Sequence, residues 1–247
     1  MATFQCFDEE IQENLVSWTL GREESHHLVK VLRAKEGDKI SILNGKGLRL
    51  RGELHTPNAK GSVVKIHQSE NIERIEPSIQ LVVGIPKIKT LDTIIRQATE
   101  LGLAKVILLN GERSEVPKSF LNSEEKLEKL KRVAREACKQ SENPYLPEIE
   151  FGPTIVKWIS DLSEPGLYWV AHPNREKAIS TIPAKPMATQ HWILVGPEGG
   201  LTDIEYSAAR EKGFMAISLG ANILRVETAC TTLAAIARFG PIFEQSR

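Results

Sequence analysis

The chain has 247 residues, of which 41% are hydrophobic, and its 32 basic residues balance its 32 acids to a formal net charge of zero. That length covers one large domain or two modest ones, and the neutral balance argues against a wholly basic nucleic-acid protein without saying how charge is distributed. Cys6, Cys138 and Cys230 are far apart and form no CxxC pair, which argues against a disulfide framework and a zinc site and fits a reducing cytosol.

The opening MATFQCFDEEIQENL carries early acids and no apolar core of signal length, and no run elsewhere approaches a membrane span, so a soluble protein of the cytoplasm is expected. Up to about residue 70 the pattern is mostly strand-like. Short runs at 39–43, 48–54 and 62–67 are separated by Gly, Asn and Pro turns, and one helix is expected at 23–32. These predict a small β-barrel with a helix on its surface. Residues 20–66 hold ten basic side chains against five acids, Lys30 and Arg33 among them, an excess suited to phosphate. The stretch SENIERIEP at 69–77 is charged and ends in proline, as an interdomain linker would. A first domain over 1–70 and a second over 78–247 follow.

Beyond residue 78 strand and helix alternate. Strands are predicted at 80–85, 105–109, 166–171, 193–195 and 215–219, and helices at 90–101, 123–140, 154–162, 202–212 and 227–238. Asn122 and Glu125 are expected to cap the second of these helices. Such alternation means α/β architecture, a parallel sheet covered by helices.

Three strand ends in the carboxyl half run into unusual loops: AHPN (171–174), GPEGG (196–200) and LGANILRVET (219–228). Ile193, Leu194 and Val195 read as a buried strand, and Thr202 with Glu205 makes a capping box, so GPEGG lies between a strand's carboxyl end and a helix start. Open α/β sheets bind ligands there. The glycines let a ligand approach bare backbone, yet the loop lacks a Walker GK[ST] and the dinucleotide spacing, and Glu198 would repel an anion. A neutral or cationic ligand fits better, and S-adenosylmethionine, an adenine nucleoside with a sulfonium, is of that kind. Leu194, Leu219, Ile223 and Leu224 are available for apolar contact. Bland readings stand beside this one. GPEGG alone is more often a tight turn before a helix than a cofactor site, Arg225 and Glu227 could merely form a surface ion pair, and His172 could be an ordinary loop residue. The Ala-rich last helix is a core or dimer element.

Five blocks in order give the sequence a resemblance: HHLVKVLRAKEGDKISILNGKG (26–47), KIKTLDTIIRQATELGLAKVILLNGERSEV (87–116), REACKQSENPYLPEI (135–149), LVGPEGG (194–200) and SLGANILRVETA (218–229). Together they resemble the RsmE family of S-adenosylmethionine-dependent methyltransferases that modify N3 of a uridine in 16S ribosomal RNA. The resemblance implies a PUA-like RNA-binding domain followed by a SPOUT-type methyltransferase domain with a carboxyl-terminal trefoil knot, in a homodimer acting on ribosomal RNA or the small subunit, with no metal. Cofactor contact is implied for His172, Leu194, Gly196, Glu198, Gly199, Gly200, Leu219, Gly220, Ile223 and Leu224. For catalysis Arg225 is the expected cation, and Glu198, Glu227 or a water the base. Lys87, Arg96 and Arg113 are expected to face RNA, with Lys30 and Arg33 in the amino-terminal domain. Two rivals are carried: an inactive RNA-binding relative, and a transfer-RNA methyltransferase of the same fold. Leu201 departs from the aromatic often seen after GPEGG.

Overall fold

The computed structural model describes residues 3–172 and 190–240, apart from the side chains of Lys118 and Asn122. Contacts divide the chain into two compact units, Met1–Arg74 with Ala134–Leu146, and Ile75–Val133 with Pro147–Arg247. Residues 134–146, read from the sequence as part of the second domain, make their contacts in the first unit.

The first unit is built from β1 (Thr3–Phe7), β2 (Ser17–Thr19), α1 (Arg22–His26) running into a π-helical turn (His27–Val31), β3 (Lys39–Leu43), β4 (Leu48–Thr56) and β5 (Val63–Asn71). The five strands form one sheet in the order β1-β3-β4-β5-β2, with β1 parallel to β3 and the remaining pairs antiparallel. Along β4, Leu48, Leu50 and Leu54 are buried while Arg51, Glu53 and His55 are exposed, the period of two that turns one face of a pleated strand inward. Those leucines meet Ile40, Ile42, Val64 and Leu28 of α1's π-helical turn in a single core.

Three expectations change here. The sequence reading missed β1 and β2, which at five and three residues are too short to display a period. The helix expected at 23–32 is an α turn followed by a π turn, closed by Leu32 N–H donating to the His27 carbonyl. The linker is shorter than 69–77, because Ser69, Glu70 and Asn71 continue the ladder opposite Leu50, Arg49 and Leu48. Backbone pairing overrides the polar composition of that stretch. Glu70 also lies 3.9 Å from Arg49 and 3.7 Å from Arg51, so part of the basic excess is matched within the sheet.

All three cysteines are buried. Burial pushes the Cys6 and Cys230 thiols far above the ordinary thiol range, with Glu24 adding to the effect on Cys6 and Glu227 to that on Cys230, and it moves Cys138 up to about 12. The folded chain is therefore expected to resist alkylation at pH 8 and to take up three equivalents once unfolded, read by mass spectrometry. Rapid labelling of the folded chain would contradict this burial. The sign for stability follows. Above the unfolded thiol pKa of about 8.5 only the unfolded chain loses these protons, so stability falls as pH rises, by up to ~1.4 kcal/mol per pH unit per thiol.

The second unit holds β6 (Ser78–Gly84), α2 (Ile88–Glu100), β7 (Lys105–Asn110), a 3-10 turn (Lys118–Asn122), the start of α3 (Glu124–Ser141), β8 (Glu148–Thr154), α4 (Ile155–Asp161), β9 (Leu167–Ala171), β10 (Gln190–Val195), α5 (Asp203–Glu211), β11 (Met215–Ile217) and α6 (Val226–Phe239). Its sheet is parallel throughout, in the order β11-β9-β10-β6-β7-β8. β10 is a central strand buried from His191 onward, which explains its unbroken apolar run. Leu194, Trp192, Val82 and Ile107 share a core with Ala209 and Phe214, and Trp158 packs on Trp192 at 5.6 Å between ring centroids.

β8 was not predicted. Its sequence, EIEFGPT, carries two glutamates, a glycine and a proline, and Lys105 on β7 supplies partners to Glu148 and Glu150 at 3.4 and 3.0 Å that make an edge position acceptable. At the start of α3 the described cap is Ser123, whose hydroxyl accepts from Lys126 N–H at 3.4 Å, and the Asn122 side chain expected there lies outside the described residues. In α6, Arg238 is 6% exposed and donates to the carbonyls of Ile75, Pro77 and Gly102 at 2.7, 2.8 and 2.8 Å. Among the described residues no helix is long and apolar enough to cross a membrane.

Candidate active site

The strand order makes β11, β9 and β10 neighbours with the same direction, so the three loops singled out in the sequence leave the sheet side by side. The next strand, β6, leads away through β7 to β8, and a crevice at such a reversal of strand order is where α/β sheets hold ligands. Here the loops enclose a cavity of about 740 Å³.

The floor is the glycine-rich loop. Val195 ends β10, and Gly196 to Gly200 turn the chain, with Gly200 N–H donating to the Pro197 carbonyl at 2.8 Å. Gly200 has φ +72°, a left-handed conformation that side chains resist. The capping box then forms as predicted: Thr202 Oγ1 accepts from Glu205 N–H at 3.3 Å, and Glu205 accepts from Thr202 N–H at 2.8 Å. Glu205 has a second task that no spacing reveals. Only 3% exposed, it also accepts from Glu112 N–H at 2.9 Å, joining α5 to the loop after β7.

Further contacts fix this floor. Glu198 accepts from Lys87 N–H at 2.9 Å, and the Lys87 ammonium lies 3.4 Å from Glu115. Arg113 Nη1 donates to the carbonyls of Gly199 and Leu201 at 3.0 and 3.2 Å. A Cβ at Gly199 would stand 2.9 Å from the Cβ of Arg113. Gly199 is thus required by the neighbouring loop, as well as lining the cavity.

One wall comes from β9 and α5. The rings of His172 and Tyr206 stack at 4.4 Å between centroids, and His172 N–H donates to the Ile217 carbonyl at 2.9 Å. The rest of AHPN, Pro173 and Asn174, lies outside the described residues. Leu219, Gly220, Ile223 and Leu224 of the loop after β11 also line the cavity, and Ile223 is 87% exposed. Arg225 is the N-cap of α6 and Glu227 sits in that helix's first turn, where a carboxylate suits the helix dipole. Both reach the cavity. Lys87, Arg113 and Arg225 are balanced there by Glu198, Asp203 and Glu227, unlike the cationic surround of a phosphate site.

The expected set is therefore gathered with one correction and three residues elsewhere. Leu194 is fully buried in the core and does not line the cavity, because along a strand its side chain points to the face opposite that of Val195. Arg96 is exposed on α2 and outside the lining, and Lys30 and Arg33 are exposed in the first unit. Sequence reasoning missed Tyr206, Val195, Ile217 and Val226, all of which line the cavity. For Tyr206 a signal existed, an aromatic one turn into a capped helix beside a glycine loop. Among the described residues no group of three or more His, Cys, Asp or Glu side chains is arranged to hold a metal.

The chain is similar to known proteins. Residues 73–238 match the family described as RNA methyltransferase domain, and residues 20–66 the one described as RNA methyltransferase PUA domain. The ribosomal RNA small subunit methyltransferase E of Synechocystis sp. is 32% identical over 92% of this chain and 73% of its own length. That of Bacillus subtilis is 29% identical over 88% of each. A crystal structure of ribosomal RNA small subunit methyltransferase E from Neisseria gonorrhoeae, bound to S-adenosyl methionine, shares the fold with a TM-score of 0.84, at 24% identity over 95% of this chain and 96% of that one.

Proposed function

The chain belongs to the RNA methyltransferase family that includes ribosomal RNA small subunit methyltransferase E, and on that premise we propose that it transfers a methyl group from S-adenosylmethionine to N3 of a uridine in 16S ribosomal RNA. The observation that carries this reading is the cavity where three parallel strand ends adjoin. Its volume, about 740 Å³, suits a nucleoside-sized ligand, and its walls alternate aliphatic side chains with bare glycine backbone. Such a lining offers contact to adenine faces and hydrogen bonds to its edge. The balanced charges of its rim ask for no phosphate.

S-adenosylmethionine supplies, when bound, a methyl group on a sulfonium, the electrophile of an in-line displacement. The protein's share is positioning and a water-poor site. We assign its binding to the backbone of Gly196, Gly199, Gly200 and Gly220, to the side chains of Leu219, Ile223 and Leu224, and to the His172–Tyr206 wall. The target nitrogen, flanked by two carbonyls, carries a proton that has to leave. Arg225 is assigned to hold the negative charge that develops on those carbonyls, a role its planar fork fits better than a lysine's point charge. Glu198 or Glu227 is the proton acceptor, directly or through a water. Of the two, Glu198 accepts a hydrogen bond from Lys87 N–H, which fixes the orientation of its carboxylate.

The first unit is proposed as the RNA-binding domain and the second as the methyltransferase domain, close to the division 1–70 and 78–247 read from the sequence except for residues 134–146, in a homodimer acting on the small ribosomal subunit in the cytoplasm. Lys30 and Arg33 in the first, with Lys87 and Arg96 in the second, are proposed to meet RNA phosphates. The proposal includes the trefoil knot of the carboxyl half. Incubating the full chain with methyl-labelled S-adenosylmethionine and, separately, small ribosomal subunits or transfer RNA tests the reading. Label is expected in 16S RNA as N3-methyluridine. Label in transfer RNA alone, or in neither, would refute it.

A further inference from the structure

Three glycines in five residues give the GPEGG loop more backbone freedom than an ordinary loop, so its shape has to be imposed from outside. The structure holds a clamp for this on the loop after β7. Arg113 Nη1 donates to the carbonyls of both Gly199 and Leu201, bracketing the positive-φ Gly200 between them. Next to it Glu112 N–H donates to the buried Glu205, so the same loop is also pinned to the first turn of α5. The approach is close enough that a Cβ at Gly199 would collide with that of Arg113.

We propose that Arg113 is a positioning residue: it sets the conformation of the glycine-rich loop for the cofactor, and this role replaces that of a contact to RNA. The inference rests on reading the cavity as the S-adenosylmethionine site. Hydrogen bonds from a guanidinium to carbonyls are charge-assisted and directional, and both carbonyls belong to the segment whose backbone faces the cavity. Losing them leaves the fold's core intact while the loop samples conformations in which the ligand's partners are displaced.

The test uses the full chain and two readouts. Titration calorimetry with S-adenosylmethionine is expected to show a Kd about tenfold higher or more for Arg113→Ala. Hydrogen exchange of the ligand-free protein is expected to quicken across residues 196–202, with the melting temperature little changed. With small ribosomal subunits at saturating S-adenosylmethionine, the KM for RNA should stay near that of the parent chain. Arg113→Lys keeps the charge without the fork and should fall between the two, and it carries the test if the alanine variant does not fold. A normal Kd for S-adenosylmethionine combined with a raised KM for RNA would overturn the proposal in favour of direct RNA contact. Unchanged exchange at 196–202 would remove the clamp itself. A parent chain that binds no S-adenosylmethionine would instead refute the cofactor reading, a separate outcome.

Discussion

Arg225→Ala is expected to lower methyl transfer to small ribosomal subunits by about 100-fold or more while changing thermal stability little. The two halves of that expectation have different physical origins. Arg225 is exposed, and as the N-cap of α6 it makes no side-chain capping bond, so removing its side chain breaks nothing the helix start depends on. Substitutions at such positions usually fall within about 0.5 kcal/mol. On the proposed mechanism the cavity loses the cation assigned to the charge that develops on the uracil carbonyls, and deleting one such donor typically lowers kcat by about 10²–10³. Arg225→Lys should recover part of the rate, because the charge returns without the bidentate geometry. Single-turnover transfer of labelled methyl, set beside melting curves, measures both. Equal rates for the parent and alanine proteins would remove Arg225 from the chemistry.

Arg238→Ala should have the opposite profile. Its guanidinium, buried in α6, satisfies the carbonyls of Ile75 and Pro77 at the entry to β6 and that of Gly102 in the turn after α2. Truncation strands three carbonyls and opens a space where the side chain lay, a loss of about 3–5 kcal/mol. Three of the four tryptophans, Trp158, Trp169 and Trp192, lie in the second unit, so fluorescence during urea unfolding reports mainly on it. A lowered midpoint is expected, with Arg238→Lys losing less. A midpoint equal to the parent's would mean that water replaces these bonds at no cost.

The two arginines also show why the sequence was informative at one and silent at the other. Arg225 stands in a short block, SLGANILRVETA, whose residue types and neighbours make a site legible. Arg238 sits in an apolar helix like any surface cation, and its partners are 136 to 163 positions away. Arg113 is intermediate. Its block was recognised, but the acceptors it chose are carbonyls, which have no signature in a sequence.

The amino-acid sequence by itself determined the alternation of strand and helix, the buried run of β10, the capping box at Thr202 and Glu205, and the presence of three unusual loops at strand ends. Each of these follows from side-chain period or local hydrogen bonding within a few residues. Only the tertiary structure decided that β11, β9 and β10 adjoin, that Leu194 turns into the core while Val195 faces the cavity, and that Glu205 and Arg113 fasten one loop to another. Parallel strands carry no mark of their order in the sheet, and a hydrogen bond to a distant backbone group depends on distance in space.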